Sequence, residues 1–391
     1  MSRLIVTCDE PPVPPLTGHN RKAHDVLLAL RDRYEIHVVA YPRSSDGSWE
    51  RYWSPHGVAV HPLTRRNQGR HWRALLQGLS LPTVTRDFEG EARMVSQLAH
   101  GIEARLLIDF LSGAPLVRNF GRGTVLSGHD CLSRLFAEES RHASSLRVRW
   151  RFLVRRRLAL NAERRFAHLA ERVHLVSEID AQALTRVNPR ARPTVIPIGG
   201  TTARSECLRP WEARRPGAIW GSLQSELIAS GFEKLADALG TDGFLRGWRF
   251  YGRLPREQAL ARHPRIQTLG LEYHATMADV GSELGNTRVL LLPDIGGTGQ
   301  KNRTMDGLAH GCCVVGLEEV FRGMEDWDQP PFVSAETMGE LVAVLRGLTE
   351  TRAAEIGRAA RDYFAGRFSL PVLADQWRAL FESVNPLSSN A

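Results

Sequence analysis

Short apolar runs recur along the chain, each closed by glycine, proline or a polar cluster. Runs of this length, without polar alternation, predict strands buried on both faces, as in parallel sheets. In the first half they are Arg3–Thr7, Glu35–Tyr41, Val58–Leu63, Ala104–Phe110, Thr124–Asp130, Arg172–Ser177 and Thr194–Ile198. An irregular stretch follows from Gly199 to Gly217. The pattern then restarts with Ala218–Gly221, Trp248–Gly252, Ile266–Gly270, Val289–Leu292, Cys312–Val315 and Phe332–Val333. Helical periodicity fills most of the intervals, and two helices, 336–368 and 370–384, are expected to close the chain. The pattern predicts two doubly wound α/β halves of similar size, with the boundary in the irregular stretch.

The stretch from Arg288 to Gly316, RVLLLPDIGGTGQKNRTMDGLAHGCCVVG, concentrates the candidate chemistry. A strand ends at Pro293, and a loop with Gly296, Gly297 and Gly299 leads into a helix over Asn302–His310, which Gly311 stops. Glycines let backbone approach a ligand, and a helix N-terminus attracts anions. Lys301 and Arg303 add two positive charges there, so the loop suits either a phosphate or a plain tight turn with solvated cations. The chain has 51 Lys+Arg, but its lysines are Lys22, Lys234 and Lys301. Two of these three fall in candidate ligand loops, where a compact ammonium differs from a planar guanidinium.

The N-terminal unit repeats the theme. A proline-rich loop, Cys8 to His19, ends in Gly18, and Arg21 and Lys22 open the next helix. It lacks a full GxGxxG, so it is not a standard dinucleotide site. Gly128-His129-Asp130 puts an imidazole at a strand's carboxyl end, the edge that holds ligands in open parallel sheets; a structural histidine is the alternative.

Length and composition narrow the class. At 391 residues and 42% hydrophobic, the chain suits two soluble domains. It shows neither a membrane-spanning apolar run nor a signal-peptide core, so a cytoplasmic location is expected. Cys8, Cys131, Cys207, Cys312 and Cys313 lack CxxC spacing and read as reduced, buried thiols. A net charge of +8 favours anionic partners: phosphates, nucleic acid or an anionic membrane face. Residues 141–172 are strongly basic, with Leu146, Trp150, Leu153 and Val154 at helical spacing among the arginines. That stripe suits either core packing or a surface of anionic lipid at the inner membrane face.

Two such halves, with a His-Asp strand end in the first and a glycine–lysine loop in the second, resemble the GT-B glycosyltransferases. The resemblance is to the retaining, nucleotide-sugar-dependent family 4 (group 1). It rests on PPVPPLTGHNR (Pro11–Arg21), VHLVSEIDAQALTRVNPRARPTVIPIGG (Val173–Gly200) and GTGQKNRTMDGLAHGCCVVG (Gly297–Gly316). It implies an α/β fold of two Rossmann-like doubly wound domains facing a cleft. Residues 1–200 would bind the acceptor and 201–370 the nucleotide-sugar, with 371–391 a helix crossing back to the first domain. It implies catalytic roles for His129, Lys301 and Arg303. Donor contacts would come from Gly18, Arg21, Lys22, Tyr251, Gly252, Gly270, Leu271, Thr298, Gly299, Gln300 and Asp306. Domain closure would press Gly18 and Lys22 against the donor phosphates. Neither cofactor nor essential metal is implied.

Two departures stand out. Thr298 takes the place of the first of the family's two glutamates and Asp306 that of the second. GSLQSELIASG (Gly221–Gly231) lacks the usual cations, which shifts phosphate neutralisation onto Lys301 and Arg303. The acceptor is a cell-surface polysaccharide, lipid-linked glycan or small molecule in this reading. The alternatives are transfer to a nucleic-acid acceptor, or a nucleotide-sugar epimerase on the same fold. Plain nucleic-acid binding fits less well, since aromatics are only 7% and do not interleave with the arginines as a stacking platform requires.

Overall fold

A computed structural model describes residues 2–14, 18–42, 47–65, 78–200, 207–324 and 330–387. The chain forms two compact units. One comprises Met1–Ala137, Arg151–Pro197 and Leu370–Ala391, and the other Glu138–Trp150 and Ile198–Ser369.

The first unit holds a seven-stranded, wholly parallel sheet in the order β3-β2-β1-β4-β5-β6-β7. Its strands are β1 (Arg3–Cys8), β2 (Glu35–Ala40), β3 (Val58–Pro62), β4 (Ala104–Asp109), β5 (Thr124–His129), β6 (Arg172–Leu175) and β7 (Pro193–Val195). Alternate side chains feed opposite layers, as strand geometry dictates. Leu4, Val6 and Leu107 enter one apolar cluster, and Ile5, Leu106 and Ile108 the other. The Leu370–Glu382 helix covers the first of these layers, where Trp377 and Phe381 pack beside Leu27 of the Gly18–Leu30 helix.

The second unit repeats the design with six parallel strands in the order β10-β9-β8-β11-β12-β13. They are β8 (Arg215–Trp220), β9 (Arg249–Tyr251), β10 (Glu272–His274), β11 (Thr287–Leu292), β12 (Cys313–Leu317) and β13 (Val333–Ala335). In both sheets the order reverses at the first strand, between β1 and β4 and between β8 and β11. Ligands of doubly wound folds bind outside the carboxyl ends at such a switch point.

Two sequence expectations are corrected. Ile266–Gly270 is not a strand: a short helix, Arg265–Thr268, starts after Pro264, and the strand lies beyond it at Glu272–His274. The long closing helix is two helices, Met338–Gly347 and Glu350–Arg367, because Leu348 is extended and the Thr349 hydroxyl accepts from the Arg352 N–H to cap the second.

One close approach governs the second unit. The Glu226–Leu239 helix passes so near the Pro293 carbonyl that a Cβ on Gly231 would lie 1.6 Å from that oxygen. Gly231→Ala must therefore push helix and loop apart, and we predict a loss of about 2 kcal/mol by the overpacking mechanism. Urea unfolding measures it; an unchanged midpoint contradicts this reading of the contact.

Candidate functional site

Each unit carries a polar cluster at the carboxyl edge of its sheet. In the first unit, Asp109 ends β4 and His129 ends the neighbouring β5. His129 Nε2 lies 3.1 Å from Asp109 Oδ1; the carboxylate accepts, so this nitrogen carries the proton. Lys22 Nζ sits 3.3 Å from the same oxygen and also donates to Ser127 Oγ. Ser127 Oγ is 3.0 Å from His174 Nδ1, while His174 Nε2 is 2.9 Å from the Ile196 carbonyl. Since a carbonyl only accepts, His174 is protonated on Nε2 and Nδ1 receives the serine hydroxyl.

Burial accounts for the charge states. Lys22 is 6% exposed, and burial pushes its ammonium pKa down against the opposing charge of Asp109. His174 is fully buried; burial, then the Lys22 charge, holds its imidazole well below the usual range. It is a neutral strut. Lys22 thus props Asp109, which in turn orients His129, a different task from the phosphate contact its loop position suggested.

Backbone strain collects at the same edge. Among the described residues, the non-glycine positions in the left-handed region are Phe110 (φ 75°), His129 (φ 62°) and Arg253 (φ 64°). Each ends or closely follows a strand. Such conformations cost about 1–3 kcal/mol and cluster at functional sites. The Phe110 ring meets His129 edge-on, centroids 5.4 Å apart, and fixes the imidazole from another side.

In the second unit the loop after β11 is folded around its own cations. Gly297 (φ 117°) and Gly299 (φ 62°) take the backbone through conformations that side chains disfavour. Lys301 Nζ folds back to donate to the Gly296 carbonyl at 3.2 Å, and Asp294 Oδ1 is 4.0 Å away. Arg303 binds Asp294 Oδ1 at 2.6 Å and donates to the Trp220 carbonyl. Arg322 donates to the Gly297 carbonyl at 2.5 Å. Gln300 braces the loop, accepting from the Ile198 N–H at 2.6 Å and donating to the Gly323 carbonyl at 2.9 Å. The Asn302–Ala309 helix then starts at Lys301 with no side-chain cap and no acid in its first turn. Thr298 Oγ1 and Asp294 Oδ2 are buried without hydrogen-bond partners, an arrangement folded proteins seldom keep without a use. Lys301, a helix N-terminus and a buried hydroxyl share one loop that Arg303 and Arg322 also reach, and it can hold a doubly charged anion by backbone N–H groups and ammonium.

The remaining candidates divide. Gly18 opens its helix, but the residues just before it lie outside the described residues. Arg21 is 3.9 Å from Asp25 one turn along. Asp306 is buried within the Asn302–Ala309 helix, its carbonyl accepting from His310. Tyr251 ends β9, but its hydroxyl donates to Glu283 at 2.5 Å, and burial with that bond pushes its pKa up to about 12. Gly252 is required by packing, since a Cβ there would meet the Tyr273 ring at 2.6 Å. Gly270 and Leu271 precede β10 and so sit at its amino end, opposite the other candidates; Leu271 is core. The displaced strand explains this, and the residues that follow β10 at the carboxyl edge are Ala275 and Thr276. Asp109, His174, Asp294 and Arg322 escaped sequence reasoning. A carboxylate at or just past the end of a buried apolar run was the available signal for two of them.

Among the described residues no cluster of three or more His, Cys, Asp or Glu is arranged to hold a metal. An Asp-x-Asp triplet of the kind that binds divalent ions in other transferases occurs at Asp326 and Asp328, outside the described residues.

No protein-family model and no curated protein sequence matches the chain. Solved structures do. HepE from Anabaena, in complex with UDP and glucose, superposes with a TM-score of 0.68 at 17% identity, over 98% of this chain and 100% of HepE. Sucrose-phosphate synthase from Thermosynechococcus elongatus gives 0.70 at 14% identity, over 98% of each chain. The UDP-forming trehalose-phosphate synthase from Burkholderia vietnamiensis gives 0.65 at 12%, over 100% of this chain and 98% of that one. The chain has the GT-B fold.

The neutral strut gives a pH prediction. His174 stays unprotonated in the native state, whereas an unfolded histidine titrates near pH 6.5. The unfolded state therefore binds the extra proton, and native stability falls as pH drops through that value. Between pH 7 and 5 this residue contributes a loss of about 2 kcal/mol. Urea titrations of native protein and His174→Gln should show the slope reduced in the variant; identical slopes contradict the neutral assignment.

Proposed function

We propose that the protein is a retaining glycosyltransferase that moves a sugar from a nucleoside-diphosphate donor to an acceptor hydroxyl. The observation that carries this reading is the loop from Pro293 to Lys301 at the switch point of the second sheet, with Lys301, Arg303 of the following helix, Arg322 bonded to the loop backbone, and a helix N-terminus around it. The UDP bound in HepE, together with the UDP-forming reaction of the trehalose-phosphate synthase, makes uracil the first base to test.

In this reaction the bond from the anomeric carbon to the diphosphate oxygen breaks, the acceptor oxygen takes its place, and the acceptor hydroxyl's proton leaves with the nucleoside diphosphate. Negative charge grows on the departing diphosphate. In this scheme the helix N-terminus and the loop N–H groups stabilise that charge from fixed positions, and Lys301 turns from the Gly296 carbonyl to join them. Asp294 offsets part of the positive charge and holds Arg303 in place. The strained His129, aligned by Asp109 and Lys22, is placed beside the transferred sugar in this scheme, without an essential metal. The acceptor is a polysaccharide, lipid-linked glycan or small-molecule hydroxyl.

Calorimetry with UDP, GDP, ADP and TDP tests the donor loop. One nucleotide should bind at micromolar strength, and Lys301→Ala should weaken it about 10- to 100-fold, the range for a lost charge-assisted hydrogen bond. No binding, or binding indifferent to Lys301, contradicts the assignment.

Turnover tests the first cluster. Asp109→Asn should lower kcat about 100-fold by misorienting His129, with nucleotide affinity unchanged. Equal kcat in the two proteins contradicts the positioning role of Asp109. Interconversion of the nucleotide-sugar without any acceptor would instead identify an epimerase.

A further inference from the structure

The Leu146–Phe166 helix carries apolar side chains on two faces, one buried and the other largely exposed among the described residues. Phe152, Ala159, Ala162 and Phe166 are buried and, with half-buried Val148, share the packed side. Leu146, Trp150, Leu153 and Val154 follow the i, i+4, i+7, i+8 spacing of a second face, on the far side of the helix at 3.6 residues per turn. They are 83%, 70%, 37% and 42% exposed. Four of the seven exposed large apolar side chains among the described residues thus fall within nine consecutive positions. Core packing, which accounts for such a stripe on most helices, does not account for this one.

The charge around the stripe is of one sign. From Leu146 to Ala162 there are six arginines and no acidic residue. Arg147, Arg149, Arg151, Arg156 and Arg157 are exposed and form no ion pair among the described residues. Arg147 and Arg151 flank the stripe on one side, Arg149 and Arg156 on the other, and Arg157 continues it. A protein groove would have to supply acids on both flanks of an apolar channel. An anionic bilayer supplies both at once: headgroups for the guanidinium groups and hydrocarbon for an indole and leucine between them. Arginine stems also reach sideways to headgroups while the apolar stripe sinks.

We propose that the amino-terminal half of this helix is a docking surface for an anionic lipid bilayer, with Leu146 and Trp150 inserted and the arginines on the headgroups. The inference stands apart from the transferase reading. It adds to that reading a position at a membrane face, where a lipid-linked acceptor would be met.

The test is co-sedimentation with vesicles of mixed phosphatidylglycerol and phosphatidylcholine, against phosphatidylcholine alone. The native chain should partition to the anionic vesicles at least tenfold more strongly than to neutral ones, about what a few surface arginines supply. The Leu146→Ser/Trp150→Ser variant should lose at least about tenfold of that partition, the worth of one or two large apolar side chains. Both residues are exposed, so its urea midpoint should match the native one. Arg149→Gln/Arg156→Gln should weaken binding and lessen its salt dependence. Failure to bind anionic vesicles overturns the proposal. So does undiminished binding by the serine variant, or a DNA mobility shift lost in the glutamine variant while vesicles stay unbound. Nucleotide calorimetry on the serine variant separates the two readings, since the donor loop is untouched by these changes.

Discussion

Every strand pairing described in both sheets is parallel, and most of the chemistry follows from that constraint. Parallel pairing brings all carboxyl ends to one edge and forces each return through a crossover on the sheet's face. The strands, covered on both sides, must be apolar almost throughout. Polar side chains are then pushed to the strand ends, where Asp109, His129, Asp294 and the glycine loop stand. The reversal of strand order opens a crevice at that edge in each unit. The polar clusters are what this topology leaves uncovered.

The two lysines in ligand loops illustrate how one residue type serves two physical ends. Lys22 is inside, its charge matched by Asp109 and its protons directed to Ser127. Its value is positional: a compact ammonium fits between a serine, a histidine and a carboxylate where a guanidinium would not. Lys301 lies over loop backbone, its ammonium 3.2 Å from the Gly296 carbonyl and 4.0 Å from Asp294 Oδ1. Its flexible stem lets it turn from the Gly296 carbonyl to a phosphate oxygen at little cost. Arg303, held at both ends by Asp294 and the Trp220 carbonyl, has no such freedom.

The fold was legible because its signal is the apolar run itself. Of the thirteen strands among the described residues, twelve fall on runs recognisable by eye; β10 was missed because Glu272–His274 holds one apolar residue between two polar ones and the more apolar Ile266–Leu269 stood beside it. That displacement carried Gly270 and Leu271 to the wrong end of the strand. The glycine loop was legible too, since glycine, lysine and a following helix sit together in sequence. The relay from Lys22 to His129 was not, because Asp109 and His174 lie 87 and 152 residues away from Lys22 and meet it only through β4 and β6. The basic stripe was ambiguous in sequence. Helical spacing shows that Leu146 and Trp150 share a face, and only the fold shows that the face points outward.

Hydrogen–deuterium exchange across residues 293–309 shows whether the loop after β11 grips a diphosphate. Exchange would be followed for the free protein, with uridine, and with UDP. A loop that holds the phosphates should show slowed exchange, with the first helical turn, in UDP and none in uridine. Equal protection by both ligands, or by neither, would contradict it.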